Sequence, residues 1–104
     1  MARRRETNDL ACFVISVAAR LLEVHPQTLR YYERAGLLRP SRSRGNIRLY
    51  SPSDLEQARQ IKRLIDDLGV NLAGVEVILR LTERLRLLED EVERLRQQAN
   101  AQRY

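Results

Sequence analysis

Apolar residues recur at helical spacing near the start of the chain. Residues 17–22 predict a short helix with Ser16 as its N-cap residue, since a serine there can accept a backbone hydrogen bond. Within this helix, the spacing predicts that Val17, Ala18 and Leu21 face inward. Residues 23–25 break the helical pattern and predict a turn.

A second short helix is predicted for residues 26–35, where Pro26 occupies a first-turn position that tolerates proline. Leu29 and one of two adjacent tyrosines should face inward, because neighbouring residues of a helix cannot point the same way. Gly36 can end this helix in a left-handed conformation. Two short helices joined by a short turn are typical of a helix-turn-helix, although other helical hairpins share the spacing.

In a helix-turn-helix one face of the second helix stays uncovered, and the major groove of B-DNA is wide enough to admit it. The candidate contact residues on this face are Gln27, Thr28, Arg30, Tyr31 and Arg34. In the alternative interpretation both tyrosines are plain core residues, which the neighbouring arginine makes less favourable.

A basic segment with the features of a hairpin follows. Gly45 and Asn46 can form a tight turn, and the alternation over residues 47–50 predicts a short strand. A basic hairpin after a helix-turn-helix is a wing, whose arginines would lie along phosphates or enter a minor groove. The alternative is a solvated basic loop. The candidate wing contacts are Arg42, Arg44 and Arg48.

Two further helices are predicted after the wing. Ser51 at the N-cap, Pro52 at the first helical position and Asp54 at the third form a strong helix start. The helix should stop at Gly69, and its apolar stripe is Leu55, Ala58, Ile61, Ile65 and Leu68. Asn71 should cap the next helix, whose apolar residues are Leu72, Val75, Ile78 and Leu79.

The last part of the chain has an apolar period that alternates steps of three and four residues. These residues fill the a and d positions of three heptads: Ile78, Leu81, Leu85, Leu88, Val92, Leu95 and Ala99. A second copy of the chain is the simplest partner for such a helix, and the alternative is that it packs on its own domain. The charges beside the stripe permit attractive pairs in both parallel and antiparallel dimers, so they leave the direction open.

Charge separates the two halves of the chain. The 104 residues carry a formal net charge of +5 with 43% hydrophobic residues, enough to fold one small domain plus one long element. Residues 1–50 hold ten arginines against four acidic residues, whereas residues 51–104 are nearly balanced. This distribution favours a polyanion-binding surface joined to a neutral, partner-binding element, with residues 1–12 as a mobile basic arm.

Several other classes of protein find no support in the composition. A lone cysteine, Cys12, leaves no disulfide framework and no cysteine-rich metal site, so we expect neither metal nor cofactor. No apolar run is long enough for a membrane span or a secretion signal, which predicts a cytoplasmic protein. No catalytic set is evident. His25 is expected to cap the second helix or touch a phosphate rather than act as a pH switch.

With these elements in place, the chain resembles the MerR family of bacterial regulators over about residues 13–82. The resemblance is carried by residues 15–19 (ISVAA), 28–40 (TLRYYERAGLLRP), 48–51 (RLYS) and 68–72 (LGVNL). Within that family the chain is most similar to the HspR-like heat-shock repressors, on the strength of residues 25–30 (HPQTLR) and 70–75 (VNLAGV).

The resemblance implies a homodimer with an antiparallel coiled coil that binds inverted repeats in double-stranded DNA. By motif it assigns DNA contacts to Arg30, Tyr31 and Tyr32 on the helix and to Arg48 in the wing. HspR-like proteins repress chaperone operons with the chaperone DnaK as co-repressor, so this role is expected here too.

Three departures from the family pattern shape that expectation. Asp66 stands where family activators usually carry a basic residue that helps to distort DNA, which favours repression. Asn46 and Ile47 replace the more usual wing-tip residues. The chain has no room after its dimer helix for the effector-binding domain of many relatives, so we expect a regulator without its own ligand.

The complete expectation is a mainly α protein with a MerR-like winged helix-turn-helix at residues 13–80 and a dimerisation helix with a short tail at 81–104. The predicted DNA-binding residues are Ser16, Arg20, Gln27, Thr28, Arg30, Tyr31, Tyr32, Arg34, Arg42, Arg44 and Arg48. The predicted dimerisation residues are Ile78, Leu81, Leu85, Leu88, Val92 and Leu95. The alternatives are a regulator of another stress or developmental regulon, a DNA-bending excisionase-like accessory protein and a coiled-coil adaptor.

Overall fold

A computed structural model describes residues 13–102, so the predicted basic arm and Cys12 lie outside the described part of the chain. The described elements are β1 (Phe13–Val14), α1 (Ile15–Leu22), α2 (Pro26–Arg34), β2 (Ser41–Arg42), β3 (Arg48–Tyr50), α3 (Pro52–Asp66) and α4 (Leu72–Gln102). They confirm the predicted fold class, which is mainly helical with a small sheet and a long last helix. The chain divides into two compact units after Val70.

The three strands form one small antiparallel sheet in the order β1-β3-β2. Phe13 pairs with Tyr50, and Arg42 pairs with Arg48 across the hairpin. Strand β1 was absent from the prediction, because two residues are too few to show an alternating period. The pairing of β1 with β3 joins the start of the first helix directly to the wing.

The predicted beginning of α1 is wrong. The helix begins at Ile15 with Val14 as N-cap and without a side-chain cap, so Ser16 lies inside the first turn. Its buried residues are Ala18, Ala19 and Leu22, whereas Leu21 is exposed and Val17 is half-buried. The pairing of Phe13 and Val14 with β3 fixes where the helix starts and which of its sides is buried. The spacing of apolar residues within the helix cannot predict this pairing, because β3 is distant in sequence.

Helix α2 follows the prediction closely. The N-cap residue His25 accepts a hydrogen bond at Nδ1 from the backbone N–H of Gln27, with 3.0 Å between the two nitrogens. At the other end Gly36 adopts a left-handed φ of 80°. The N–H of Leu37 donates to the carbonyl of Tyr32, which closes the end of the helix as expected for a left-handed glycine.

Helix α3 begins with the predicted capping box, in which Ser51 and Asp54 each accept a hydrogen bond from the other's backbone N–H. Its buried apolar residues are Leu55, Ala58, Ile61 and Leu64. Leu68 was expected in this stripe but is 66% exposed, because the helix ends at Asp66 and the chain has turned away by then. Gly69 takes a left-handed φ of 67° in the turn that follows.

The second unit contains one continuous helix of 31 residues, α4. Asn71 caps it as predicted, since its Oδ1 accepts a hydrogen bond of 2.8 Å from the N–H of Gly74. The predicted heptads therefore lie on the same helix as the apolar residues that follow Asn71. None of the described helices is both long and apolar enough to cross a membrane. The functional boundary after residue 80 stays a prediction.

Candidate nucleic-acid interface

Helices α1 and α2 are joined by a tight turn in which Glu23 takes a left-handed φ of 58°. This turn and the His25 cap set the direction in which α2 leaves α1. Leu29 and Tyr32 anchor α2 in the core, while Tyr31 on the same helix is 46% exposed. The predicted split between an inward and an outward tyrosine is thus confirmed.

The uncovered side of α2 carries most of the predicted contact residues. Gln27, Tyr31 and Arg34 are exposed, and Thr28 and Arg30 are half-buried. Tyr32 is only 4% exposed. Its predicted role as a DNA contact therefore rests on the family motif alone, whereas the other five side chains reach the protein surface.

Electrostatics around the buried tyrosine favour its neutral form. Burial raises the pKa of Tyr32 above its ordinary value of 10.0, and the negative charges of the Asp66 carboxylate and of the Tyr31 phenolate raise this pKa further. Asp66 also forms an ion pair with Lys62, with 3.5 Å between Nζ and Oδ2. The negative charge of Asp66 is therefore close enough to Tyr32, near the C-terminal end of α2, to affect its pKa.

The basic segment after α2 is a hairpin, as predicted for a wing. The N–H of Asn46 donates to the carbonyl of Ser43, and the N–H of Ser43 donates to the carbonyl of Ile47, each at 2.9 Å. Asn46 makes the turn possible with a left-handed φ of 64°. Arg42 and Arg44 are exposed, and Arg48 is half-buried.

The wing is tied to α2 by Glu33, which was not among the predicted site residues. Glu33 accepts from Arg48 Nε at Oε1, with 2.5 Å between the atoms, and from Arg42 Nη2 at Oε2, with 3.1 Å. The hydrogen bond from Arg48 to Glu33 is the main reason why the pKa of Arg48 is raised. An acidic residue inside an otherwise basic motif was the signal that could have identified Glu33.

A second tie holds the segment after α2 against α3. The side-chain amide of Gln57 donates to the carbonyl of Leu37 through Nε2, at 2.6 Å. Leu37 and Leu38 are buried in the core next to this bond. The hairpin is therefore anchored both where it leaves α2 and at its own strands.

The two predicted contacts on α1, Ser16 and Arg20, are both exposed. In a helix-turn-helix the first helix crosses the DNA backbone, so the prediction for these two residues is a contact with phosphates rather than with base edges. Among the described residues no group of three histidine, cysteine or acidic side chains is placed to hold a metal ion.

The predicted dimerisation stripe is uncovered along α4. Leu81, Leu85, Leu88, Val92 and Leu95 are between 47% and 60% exposed, and Ile78 is half-buried. Beside the stripe, Arg86 forms ion pairs with Glu83 at 2.6 Å and Asp90 at 2.9 Å. A further ion pair joins Arg94 to Glu91. Such pairs stabilise the helix itself and leave its apolar face open.

A winged helix-turn-helix whose basic hairpin is tied to its second helix defines a class of DNA-binding regulators. A comparison with known protein families supports the assignment of this chain to that class. Residues 13–82 match the family described as MerR HTH family regulatory protein. The chain belongs to this family. Its relatives and its fold are those of transcription regulators rather than enzymes.

Among similar proteins, a Streptomyces coelicolor protein named as the heat shock protein HspR is 47% identical over 83 residues, which cover 80% of this chain and 55% of the relative. The transcriptional regulator GlnR of Bacillus cereus is 34% identical over 77% of this chain and 61% of its own length. This chain therefore spans between about half and two thirds of the length of these relatives.

A solved structure of HiNmlR, described as a MerR family regulator lacking the sensor domain and bound to promoter DNA, has a similar fold. The TM-score is 0.63 with 25% identity, and the match covers 88% of this chain and 76% of that one.

Proposed function

We propose that this chain is a sequence-specific transcriptional repressor that binds inverted repeats in double-stranded DNA as a homodimer. The observation that carries the proposal is the combination of an uncovered recognition face on α2 with a basic hairpin tied to the same helix. The family membership supports it, as does the DNA-bound state of the similar HiNmlR structure.

The proposed contacts divide by the part of DNA they would meet. Arg30, with Gln27 and Thr28 beside it, is placed to reach base edges, because side chains early in a recognition helix enter the major groove. The remaining candidates would position the protein on phosphates, either by direct contact or by supporting the side chains that make the contact: Ser16, Arg20, Tyr31, Tyr32, Arg34, Arg42, Arg44 and Arg48.

The homodimer is proposed to form through α4 in an antiparallel coiled coil. Alternate steps of three and four place Leu81, Leu88 and Leu95 with Leu85 and Val92 on one apolar stripe, and these side chains are about half exposed. Such a stripe is stabilised when a second copy covers it. A two-fold dimer would place two recognition helices on two half-sites of an inverted repeat.

The target genes are proposed to be heat-shock and chaperone genes, with DnaK as a co-repressor that binds the DNA-bound dimer. Similarity to the Streptomyces protein supports this target class, and the negative charge of Asp66 favours repression over activation by DNA distortion. Such a protein would act in the cytoplasm at the nucleoid. A second candidate, a MerR-type regulator of another regulon, is supported by the similarity to GlnR.

A gel-shift titration with the protein's own upstream region, with and without purified DnaK, tests the proposal. We expect a shifted dimer complex whose affinity falls steeply as salt rises, because bound phosphates release counterions. DnaK should strengthen or supershift that complex. Binding that DnaK leaves unchanged would reject the co-repressor role, and the absence of any salt-dependent complex would reject the DNA-binding function.

A further inference from the structure

We propose that Glu33 is a positioning residue for DNA binding, whose carboxylate ties both strands of the wing to the recognition helix and so sets where Arg48 meets the DNA backbone. This inference rests on the proposed function, because it requires α2 and the wing to contact duplex DNA. It deepens that function by giving different roles to two arginines that the sequence treats alike.

The wing needs an anion between its strands. Arg42 and Arg48 are direct partners across the hairpin, and like charges in that arrangement destabilise a strand pair. Glu33 reaches both guanidinium groups, with one carboxylate oxygen to each. A carboxylate from the recognition helix therefore neutralises the repulsion within the wing, and it fixes the wing to that helix in doing so.

The two arginines use different nitrogens. Arg42 donates to Glu33 through Nη2 and to the carbonyl of Asn46 through Nη1, at 3.4 Å, so its guanidinium closes the hairpin on itself. Arg48 donates to Glu33 through Nε, and among the described residues its terminal nitrogens make no other hydrogen bond. Arg42 is thus a brace, and Arg48 is the group whose outer end is available for a phosphate.

An alternative role for Glu33 would change DNA affinity in the opposite direction. If Glu33 merely occupied the arginines until phosphate displaced it, its removal would tighten DNA binding. Positioning is favoured because the three side chains are partly shielded, with 23% of Glu33, 27% of Arg48 and 38% of Arg42 exposed. Displacing the carboxylate would leave a partly buried charge without its partners, which is costly.

The decisive variant is Glu33→Gln, measured by fluorescence anisotropy on a labelled duplex from the protein's own upstream region and on a scrambled duplex. Removal of a negative charge should by itself strengthen binding to any DNA. We expect instead that affinity for the upstream duplex falls by up to about tenfold, because an Arg48 side chain that Glu33 no longer holds must be ordered when it binds DNA. Affinity for the scrambled duplex should fall less or rise.

Glu56→Gln is the matched control, because within residues 13–102 Glu56 forms its ion pair along its own helix with Arg59, at 3.6 Å. It removes the same charge and should leave the affinity unchanged or slightly tighter. The double variant Glu33→Gln with Arg42→Gln should bind DNA about as tightly as the single variant that binds less tightly. Both changes break the same contact between Glu33 and Arg42, so their effects should not add. Losses in affinity that simply add would show that the two side chains act independently and would overturn the role of Arg42 as a brace.

The outcomes separate the two proposals. If the wild-type chain does not bind the upstream duplex, the proposed function fails. If it binds and Glu33→Gln binds as tightly or more tightly, the positioning role fails and the proposed function stands. Amide hydrogen exchange gives a check that does not depend on DNA, since the N–H groups of Ser43 and Asn46 should exchange faster in Glu33→Gln. Unchanged exchange in a folded variant would also overturn the brace.

Discussion

Tyr50 has the largest side chain among the fully buried residues, and its hydroxyl is also buried. Within residues 13–102 this hydroxyl makes no hydrogen bond. A buried hydroxyl without a partner costs stability, because it gives up its hydrogen bonds to water on folding. The ring therefore contributes packing between β3 and the core, while the oxygen contributes a penalty.

Alkaline pH should destabilise the fold through its buried tyrosines. Burial is the main reason why the pKa values of Tyr32 and Tyr50 lie above the ordinary 10.0. The folded state therefore holds these protons more tightly than the unfolded state. The stability that these two raised pKa values contribute to the folded state is fully present below pH 10.0. It is lost as the pH rises above that value and through the higher pKa values of the folded state. Thermal unfolding followed by circular dichroism between pH 7 and pH 11 measures this fall.

Tyr50→Phe is the variant that isolates one tyrosine. It should be at least as stable as the wild type at neutral pH, by up to about 1 kcal/mol, because it removes the unpaired hydroxyl. Its stability should also fall less steeply above pH 10.0. A clear loss of stability at neutral pH would mean that the hydroxyl has a hydrogen-bond partner in solution.

The charged residues of the wing and of α2 differ in how far their roles could be predicted from the sequence. Arg42 and Arg48 were predicted as wing residues from the run of arginines, and the structure places both in the hairpin. Glu33 was not predicted, because its contacts with these two arginines depend on the register of that hairpin. Only when Arg42 lies opposite Arg48 does a single carboxylate reach both, and register is a property of the folded sheet.

The sequence predicted the helix boundaries correctly wherever a single capping residue controls them. The proline and serine at the start of α3, the histidine before α2 and the asparagine before α4 all act as predicted. The start of α1 and the end of the α3 stripe were wrong, because Val14 is fixed by strand pairing and Leu68 follows the last helical turn. Contacts distant in sequence decide those two cases.

Gly36 provides a test of how α2 ends. An alanine there would have free space, since nothing lies within 4 Å of the added methyl group, but it would retain the left-handed φ of 80°. We expect Gly36→Ala to lower the free energy of unfolding by about 1–2 kcal/mol, the conformational cost of that region for an L-residue.

Gly45→Ala is the matched control in the wing. Gly45 is not in the left-handed region, and its added methyl would be 3.8 Å from Ser43 Oγ, an ordinary contact. Its free energy of unfolding should stay within about 0.5 kcal/mol of the wild type in urea titrations. Equal losses for the two variants would show that the left-handed end of α2 is not what makes Gly36 necessary.

The chain as a whole combines a compact unit that carries a basic surface with a long helix whose apolar stripe is exposed. Residues 1–50 carry the excess of arginines, and the second half is nearly neutral. A helix that exposes this much apolar surface is expected to associate. DNA binding and self-association would then belong to different parts of the chain and should be separable by mutation.

Leu88→Glu combined with Val92→Glu should convert the dimer into monomers in sedimentation velocity experiments. Both side chains are about half exposed on the stripe, and carboxylates there would face the same stripe of the partner. The control is Gln97→Glu with Asn100→Glu, which adds the same charge to exposed positions outside the stripe and should remain dimeric. A dimer that survives the first pair of changes would reject the coiled-coil assignment.

The role of α2 as the recognition helix is tested by comparing wild type, Arg30→Ala and Arg96→Ala on the protein's own upstream duplex by fluorescence anisotropy, with sedimentation velocity as a check of the dimer. We expect Arg30→Ala to remain dimeric but to lose at least about tenfold in affinity, because an arginine proposed to read a base is removed. Arg96→Ala, which removes the same charge from α4, should bind nearly as the wild type does. If Arg30→Ala binds the upstream duplex as tightly as the wild type, α2 is not the recognition helix.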